Sequence, residues 1–135
     1  MAFKFERLEV WQIALEYIDV IYEIGNALPK VEEYNLKSQI IRAATSIALN
    51  IAEGSTSQTN DEQARFLGFA IRSLIETVAC LRIIERRQLV TDHQRLAHAN
   101  TRAETLAAKL HTLRKTIAPE QKWLRDEQAE YLTNE

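Results

Sequence analysis

The stretch RAATSIALNIAEG, residues 42–54, decides how the chain is read. Alanine, isoleucine and leucine fill it, yet Arg42, Ser46, Asn50 and Glu53 recur at steps of four, four and three. That spacing sets four polar side chains in one line along a helix. The residues between them, from Ala43 to Ala52, are almost all apolar, so the helix is greasy over more than half its circumference. A single bundle core needs a narrower stripe than this. The expectation is a helix covered twice, once by its own bundle and once by a second contact, with the polar line in or beside that contact. There Ser46 and Asn50, four residues apart, can bridge.

Outward from this helix the same period continues. The chain has only three glycines and two prolines in 135 residues, too little turn chemistry for a sheet. A first helix reads from about Glu6 to Leu28, with Leu8, Trp11, Leu15, Ile18 and Tyr22 as its stripe and Ala14 and Ile21 widening it. Pro29 ends it. The second runs from near Asn35 to Gly54, where glycine suits a left-handed closing residue. Thr59 with Glu62 has the form of a capping box and opens a long third helix through Leu67, Ile71, Leu74, Val78, Leu81 and Ile84. Thr91 with Gln94 opens a fourth, whose stripe through Leu96, Ala103 and Leu110 runs on to Ile117 before Pro119.

Four helices of roughly 30 to 45 Å with short connections form an all-α, antiparallel up-down-up-down four-helix bundle. It occupies residues 1–118, and 119–135 form a charged C-terminal tail. Through Trp123, Leu124 and Ala129 the tail allows a helical extension along another chain; as a chain end it is equally open to fraying. Glu9, Glu16 and Glu23 repeat every seven residues on the first helix, and Arg95, Arg102 and Lys109 do so on the fourth. These stripes can flank one seam within the bundle or meet between subunits.

Composition excludes several functions. The net charge of −2 argues against a generic polyanion binder. One cysteine, Cys80, cannot form an internal disulfide, and the expectation is a small inert core residue. MAFKFERLEVW lacks the regions of a signal peptide, and no apolar run reaches membrane-spanning length. A reduced, cytoplasmic protein is expected, without membrane partner. His93, His98 and His111 fit no ligand spacing, and no phosphate loop, nucleophile–base pair or di-iron Glu-x-x-His set is present. No enzyme, cofactor, metal or small-molecule substrate is expected.

FERLEVWQIALEYIDVIYEI, LPKVEEYNLKSQIIRAATSIALNIAEG and FLGFAIRSLIE resemble the bacterial four-helix bundle family of the 23S ribosomal RNA intervening sequence protein. The resemblance covers about residues 3–117. It implies a bundle that assembles as a ring, typically a homopentamer, with a suspected association with RNA. The accessory protein of diversity-generating retroelements is similar in fold, and there a basic pentamer serves a reverse transcriptase and its RNA. The family pattern falls on Arg42, Ser46, Asn50, Glu53 and Gly54 and gives none of them a catalytic role. Departures are Ile41 where a second basic residue is frequent, Asn35 in a usual Tyr-Gly-Leu, Arg72 where glycine is common, and ERRQLV in place of a glycine-bearing turn. Asn35 is a mild change if the position is left-handed. Two functions compete: a homo-oligomeric scaffold that binds RNA or a nucleic-acid enzyme, and a protein-only interaction scaffold. For the first, the candidate surface is Lys37, Arg65, Arg72, Arg82, Arg86 and Arg87.

Overall fold

The computed structural model describes residues 3–119, and the charged tail expected at the C-terminus lies outside the described residues from position 120. Helices α1 (Glu9–Ala27), α2 (Leu36–Gly54), α3 (Asn60–Arg86) and α4 (His93–Ile117) succeed one another, with short 3-10 turns at Lys4–Arg7 and Lys30–Glu32. Each helix packs against its two neighbours around a square, α1 against α2 and α4, α3 against α2 and α4. This is the antiparallel up-down-up-down bundle that the connection lengths require. No strand occurs among the described residues.

Side-chain periodicity decides which faces turn inward. α3 buries Leu67, Ile71, Leu74, Leu81 and Ile84, and α4 buries Leu96, Ala99, Ala103 and Leu110 together with Leu106, which lies off the expected stripe. The first helix corrects its expected stripe. Val10, Ala14, Tyr17, Ile21 and Ile24 face the core, whereas Leu15 and Tyr22 are 38% and 44% exposed. Trp11 and Ile18 are only half-buried. The helix carries two apolar stripes side by side, and a bundle of four can take in just one. Tyr17 is the unexpected core member. Its hydroxyl finds Thr77 Oγ1 at 2.7 Å, and Thr77 in turn donates to the Leu74 carbonyl at 2.6 Å. With these partners a phenol can sit fully buried without an orphaned polar atom.

Termini differ from expectation in four places. The segment from Glu6 belongs to the Lys4–Arg7 turn, and α1 begins only at Glu9, because Leu8 is extended. The fourth helix is capped by Asp92 rather than Thr91: Asp92 Oδ1 accepts from the Arg95 amide at 3.0 Å. A carboxylate so placed also favours the positive end of the helix. Thr59 does cap α3, accepting from the Glu62 amide at 3.1 Å. Neither Gly54 nor Asn35 is left-handed. Gly54 is the last helical residue of α2, and no glycine has positive φ. What requires glycine there is space, since an added Cβ would lie 2.8 Å from the Phe66 Cβ of α3. Asn35 has φ −126° and acts by side-chain bonds, donating to Glu32 at 3.0 Å and accepting from Gln39 at 3.2 Å.

Candidate interaction surfaces

The polar line of α2 has a definite address. Asn50 Nδ2 donates to the Ser46 carbonyl at 2.9 Å and to its hydroxyl at 3.1 Å, and Ser73 of α3 donates to the same Ser46 hydroxyl at 3.0 Å. Arg42 lies 3.9 Å from Glu76, also on α3, with both side chains largely in solvent. Glu53 is exposed at the end of the line. The line therefore runs along the seam between α2 and α3 of one chain. Half-buried hydroxyls and an amide need partners, and this pairing supplies them while fixing the register of the two helices.

The reading of α2 as a helix needing a second cover is corrected by the same packing. Ala43, Ala44, Ile47, Ala48 and Ile51 are all buried by the single chain, because α1 and α3 flank α2 on both sides of the core. Small residues let both neighbours approach closely. Leu49 is the exception, 60% exposed. On the neighbouring α1, Leu15 and Tyr22 are exposed, and half-buried Trp11 and Ile18 on the same stripe also pack against the core; Gly25 packing on Ile41 places these two helices face to face. Phe5 abuts Trp11 with ring centroids 4.6 Å apart, and Phe3 stacks on Phe5. Leu15 and Tyr22 thus give α1 an outward apolar stripe besides the one it buries.

The charged heptads lie across the α1–α4 seam within the chain. Lys109 meets Glu9 at 2.7 Å, Arg95 meets Glu23 at 3.6 Å, and Arg102 donates to Glu16. These pairs are solvated and set partner and direction more than they stabilise.

The six basic candidates do not form one surface. Arg65, Arg72 and Arg86 are exposed and separated by seven and fourteen residues, so they share one outer ridge of α3. Arg65 lies over the Phe69 ring at 5.4 Å. Arg82 turns to α4 instead, donating to Asn100 at 2.7 Å and lying 3.6 Å from Glu85. Arg87 caps the C-terminus of α3. Lys37 pairs with Glu33 at 3.1 Å and packs beside Gly25 of α1, away from the ridge.

Titratable groups in the interior are structural. Burial pushes the Tyr17 phenol up to about 12, partly offset by the Thr77 hydrogen bond. Cys80 is buried, and burial, then the Glu76 carboxylate, raises its thiol. A thiol held protonated is a poor nucleophile. His111 is lowered, first by burial and then by Arg114 and Lys115. Among the described residues no group of three or more His, Cys, Asp or Glu side chains could hold a metal ion. Nor is any helix among them long and apolar enough to cross a membrane.

Comparison with known proteins agrees with this architecture. The sequence matches the family described as 23S rRNA-intervening sequence protein over residues 6–112. A crystal structure of a protein of unknown function from the S23 ribosomal protein family of Bacteroides thetaiotaomicron superposes with a TM-score of 0.72 at 24% identity. The match covers 78% of this chain and 98% of that one, and at this identity it establishes the fold alone. None of the curated proteins matches the sequence. With the bundle, the α2 motif and the match over residues 6–112 in agreement, the chain belongs to the 23S rRNA-intervening sequence protein family.

Proposed function

We propose that the protein is a non-enzymatic scaffold that associates with copies of itself and offers the arginine ridge of α3 to RNA. The observation that carries the reading is the strip on the outside of α1 and α2, where Leu15, Tyr22 and Leu49 stand in solvent beside half-buried Trp11 and Ile18. From Trp11 to Tyr22 it extends about 16 Å along one helix. Several large apolar side chains exposed on two neighbouring helices and bordered by charge suit a contact site better than ordinary exposure. A second copy of the chain is its occupant in this reading, and the pentameric ring that the family resemblance implies would use it head to tail against a different face of the neighbour.

The RNA part rests on the ridge. Arg65 and Arg72 are about 10 Å apart along α3, and a row of exposed guanidinium groups suits bidentate contact with successive phosphates. The same ridge would serve a complex of RNA with a nucleic-acid enzyme, the role of a retroelement accessory protein.

Two experiments separate these statements. Native mass spectrometry should give an oligomer for the full chain and a monomer with unchanged helical content for Leu15→Glu with Leu49→Lys; a parent chain that stays monomeric at micromolar concentration removes self-association. Titration with structured RNA should show binding that weakens steeply with salt and that Arg65→Glu with Arg86→Glu abolishes. Flat titrations at low salt leave a protein-only scaffold.

A further inference from the structure

Three aromatic side chains stand exposed among the described residues, Phe3 at 71%, Tyr22 at 44% and Tyr34 at 95%. Their surroundings differ in charge. Tyr22 has Asp19 and Glu23 beside it on α1, and Tyr34 follows Glu32 and Glu33, whereas Phe3 is joined directly to the turn that carries Lys4 and Arg7. Only beside Phe3 is the balance positive. Phe66 and Phe69 are half-buried, and Arg65 already lies over the Phe69 ring.

The Phe3 ring is held in place although little of it is buried. Its amide donates to Glu6 Oε1 at 3.1 Å, and the Gln12 side-chain amide donates to the Glu6 carbonyl at 3.0 Å, so the Lys4–Arg7 turn is tied to α1. The ring lies nearly parallel to that of Phe5, at 11° with centroids 6.1 Å apart, and Phe5 rests edge-on against Trp11. One stack therefore runs from half-buried Trp11 through Phe5 to Phe3 and ends in solvent. So exposed a ring gains little from the hydrophobic effect, which scales with the area withdrawn from water. With the turn anchored and the ring stacked, however, little freedom is left to lose when a further flat ring is added. In a 3-10 turn side chains three apart eclipse, so Lys4 and Arg7 project from one side. Both are exposed, and neither enters an ion pair among the described residues. Arg114, at the same end of the bundle, is buried instead and out of a phosphate's reach.

We propose that Phe3 is a stacking platform for an unpaired nucleobase, with Lys4 and Arg7 holding the phosphates beside it. Every base has a π-face that suits such a platform, and the two cations match the charge of the strand that carries it. The platform rests on the RNA reading given above and specifies the ligand further, as RNA with unpaired bases rather than a duplex whose bases are already stacked. Arg65, the first arginine of the ridge, lies at the same end of the bundle as Phe3, where α1 and α3 both begin.

The probe is a short oligouridylate carrying one fluorescent aminopurine, titrated at low salt against the full chain and compared with a blunt RNA duplex. Stacking on an aromatic ring quenches the aminopurine, so in the parent chain binding should bring quenching. Phe3→Ala should weaken binding of the single strand by about tenfold or more and abolish the quenching while leaving duplex binding unchanged. Phe3→Trp should restore both. Lys4→Glu with Arg7→Glu should weaken the single strand as well and flatten its salt dependence. Because Phe3 is mostly in solvent, its variants should keep the helical content and Tm of the parent. Binding without quenching, or a Phe3→Ala chain indistinguishable from the parent, overturns the platform and leaves the ridge standing. Equal losses on strand and duplex also overturn it, since they report a structural role. If the parent chain binds neither RNA, the RNA reading itself fails and the platform with it.

Discussion

Replacing Gly54 by alanine sets two effects of opposite sign against each other. At a helical residue the substitution alone is favourable by up to about 1 kcal/mol, from propensity and the reduced freedom of the unfolded chain. The added Cβ, however, would stand 2.8 Å from the Phe66 Cβ. That atom is fixed to the α3 backbone, so relief requires the two helices to part, and overpacking of this kind costs about 1 to 3 kcal/mol. The clash wins, and a net loss of about 1 to 2 kcal/mol is expected, or some 3 to 10 °C in Tm for a chain of this size. Gly25 is the internal control. Its added Cβ would meet the Ile41 Cδ1 at 3.1 Å, the tip of a side chain that can rotate away. Gly25→Ala should therefore be neutral or slightly stabilising. Thermal and urea unfolding followed by circular dichroism read both variants. A Gly54→Ala protein as stable as the parent, or more so, refutes the argument that glycine is required there for close approach.

Further expectations concern the core and the seams. Tyr17 has a folded-state pKa near 12 against an ordinary value near 10; its neutral form is the one folding retains, so the contribution is intact below pH 10 and is lost as pH rises from 10 to 12, by about 2 to 3 kcal/mol. Urea midpoints across that range should fall more for the parent than for Tyr17→Phe, and parallel curves would contradict the assignment. Asn50→Ala should cost about 1 kcal/mol through the Ser46 bonds, while Arg42→Ala, in a long and solvated pair, should change the urea midpoint hardly at all. Exchanging the charges of Glu16 and Arg102 together should restore most of the small loss caused by either change alone, and 1 M salt should erase the difference.

Helix count, order and direction are legible in the sequence because they depend on period and on loop length. α3 shows this best: one apolar stripe, a threonine cap and no competing face. The first helix is harder, since Leu8–Trp11–Leu15–Ile18–Tyr22 and Val10–Ala14–Tyr17–Ile21–Ile24 have the same spacing and similar bulk. The charge heptad holds the answer. If Glu9, Glu16 and Glu23 flank a seam beside the core, then Val10, about 100° from Glu9, can face inward, and Trp11, about 200° away, cannot. Large aromatic size argues for the wrong stripe. In α2 the error is of a different kind, for a wide apolar perimeter reads as surplus when it reflects two flanking helices at close range. Arg114 gives no signal at all, because a basic residue in a last helical turn is ordinarily a solvated partner of the dipole.

The position of the remaining surfaces limits how they can work together. In this square α1 and α3 are diagonal, and only adjacent helices pack closely. The apolar strip lies on the outside of α1 and α2, and the ridge of Arg65, Arg72 and Arg86 on the outside of α3. Copies joined through the first would leave the second open, each chain adding one short row of arginines to the periphery. A row of three supplies little affinity, so RNA bound by such an assembly would owe its strength to several rows engaged at once. Leu15→Glu with Leu49→Lys should then weaken RNA binding by far more than tenfold without touching an arginine, whereas Arg65→Glu with Arg86→Glu should leave the oligomer intact. If the strip variants bind RNA as tightly as the parent chain, the two surfaces act independently and assembly is not what gives the ridge its purchase.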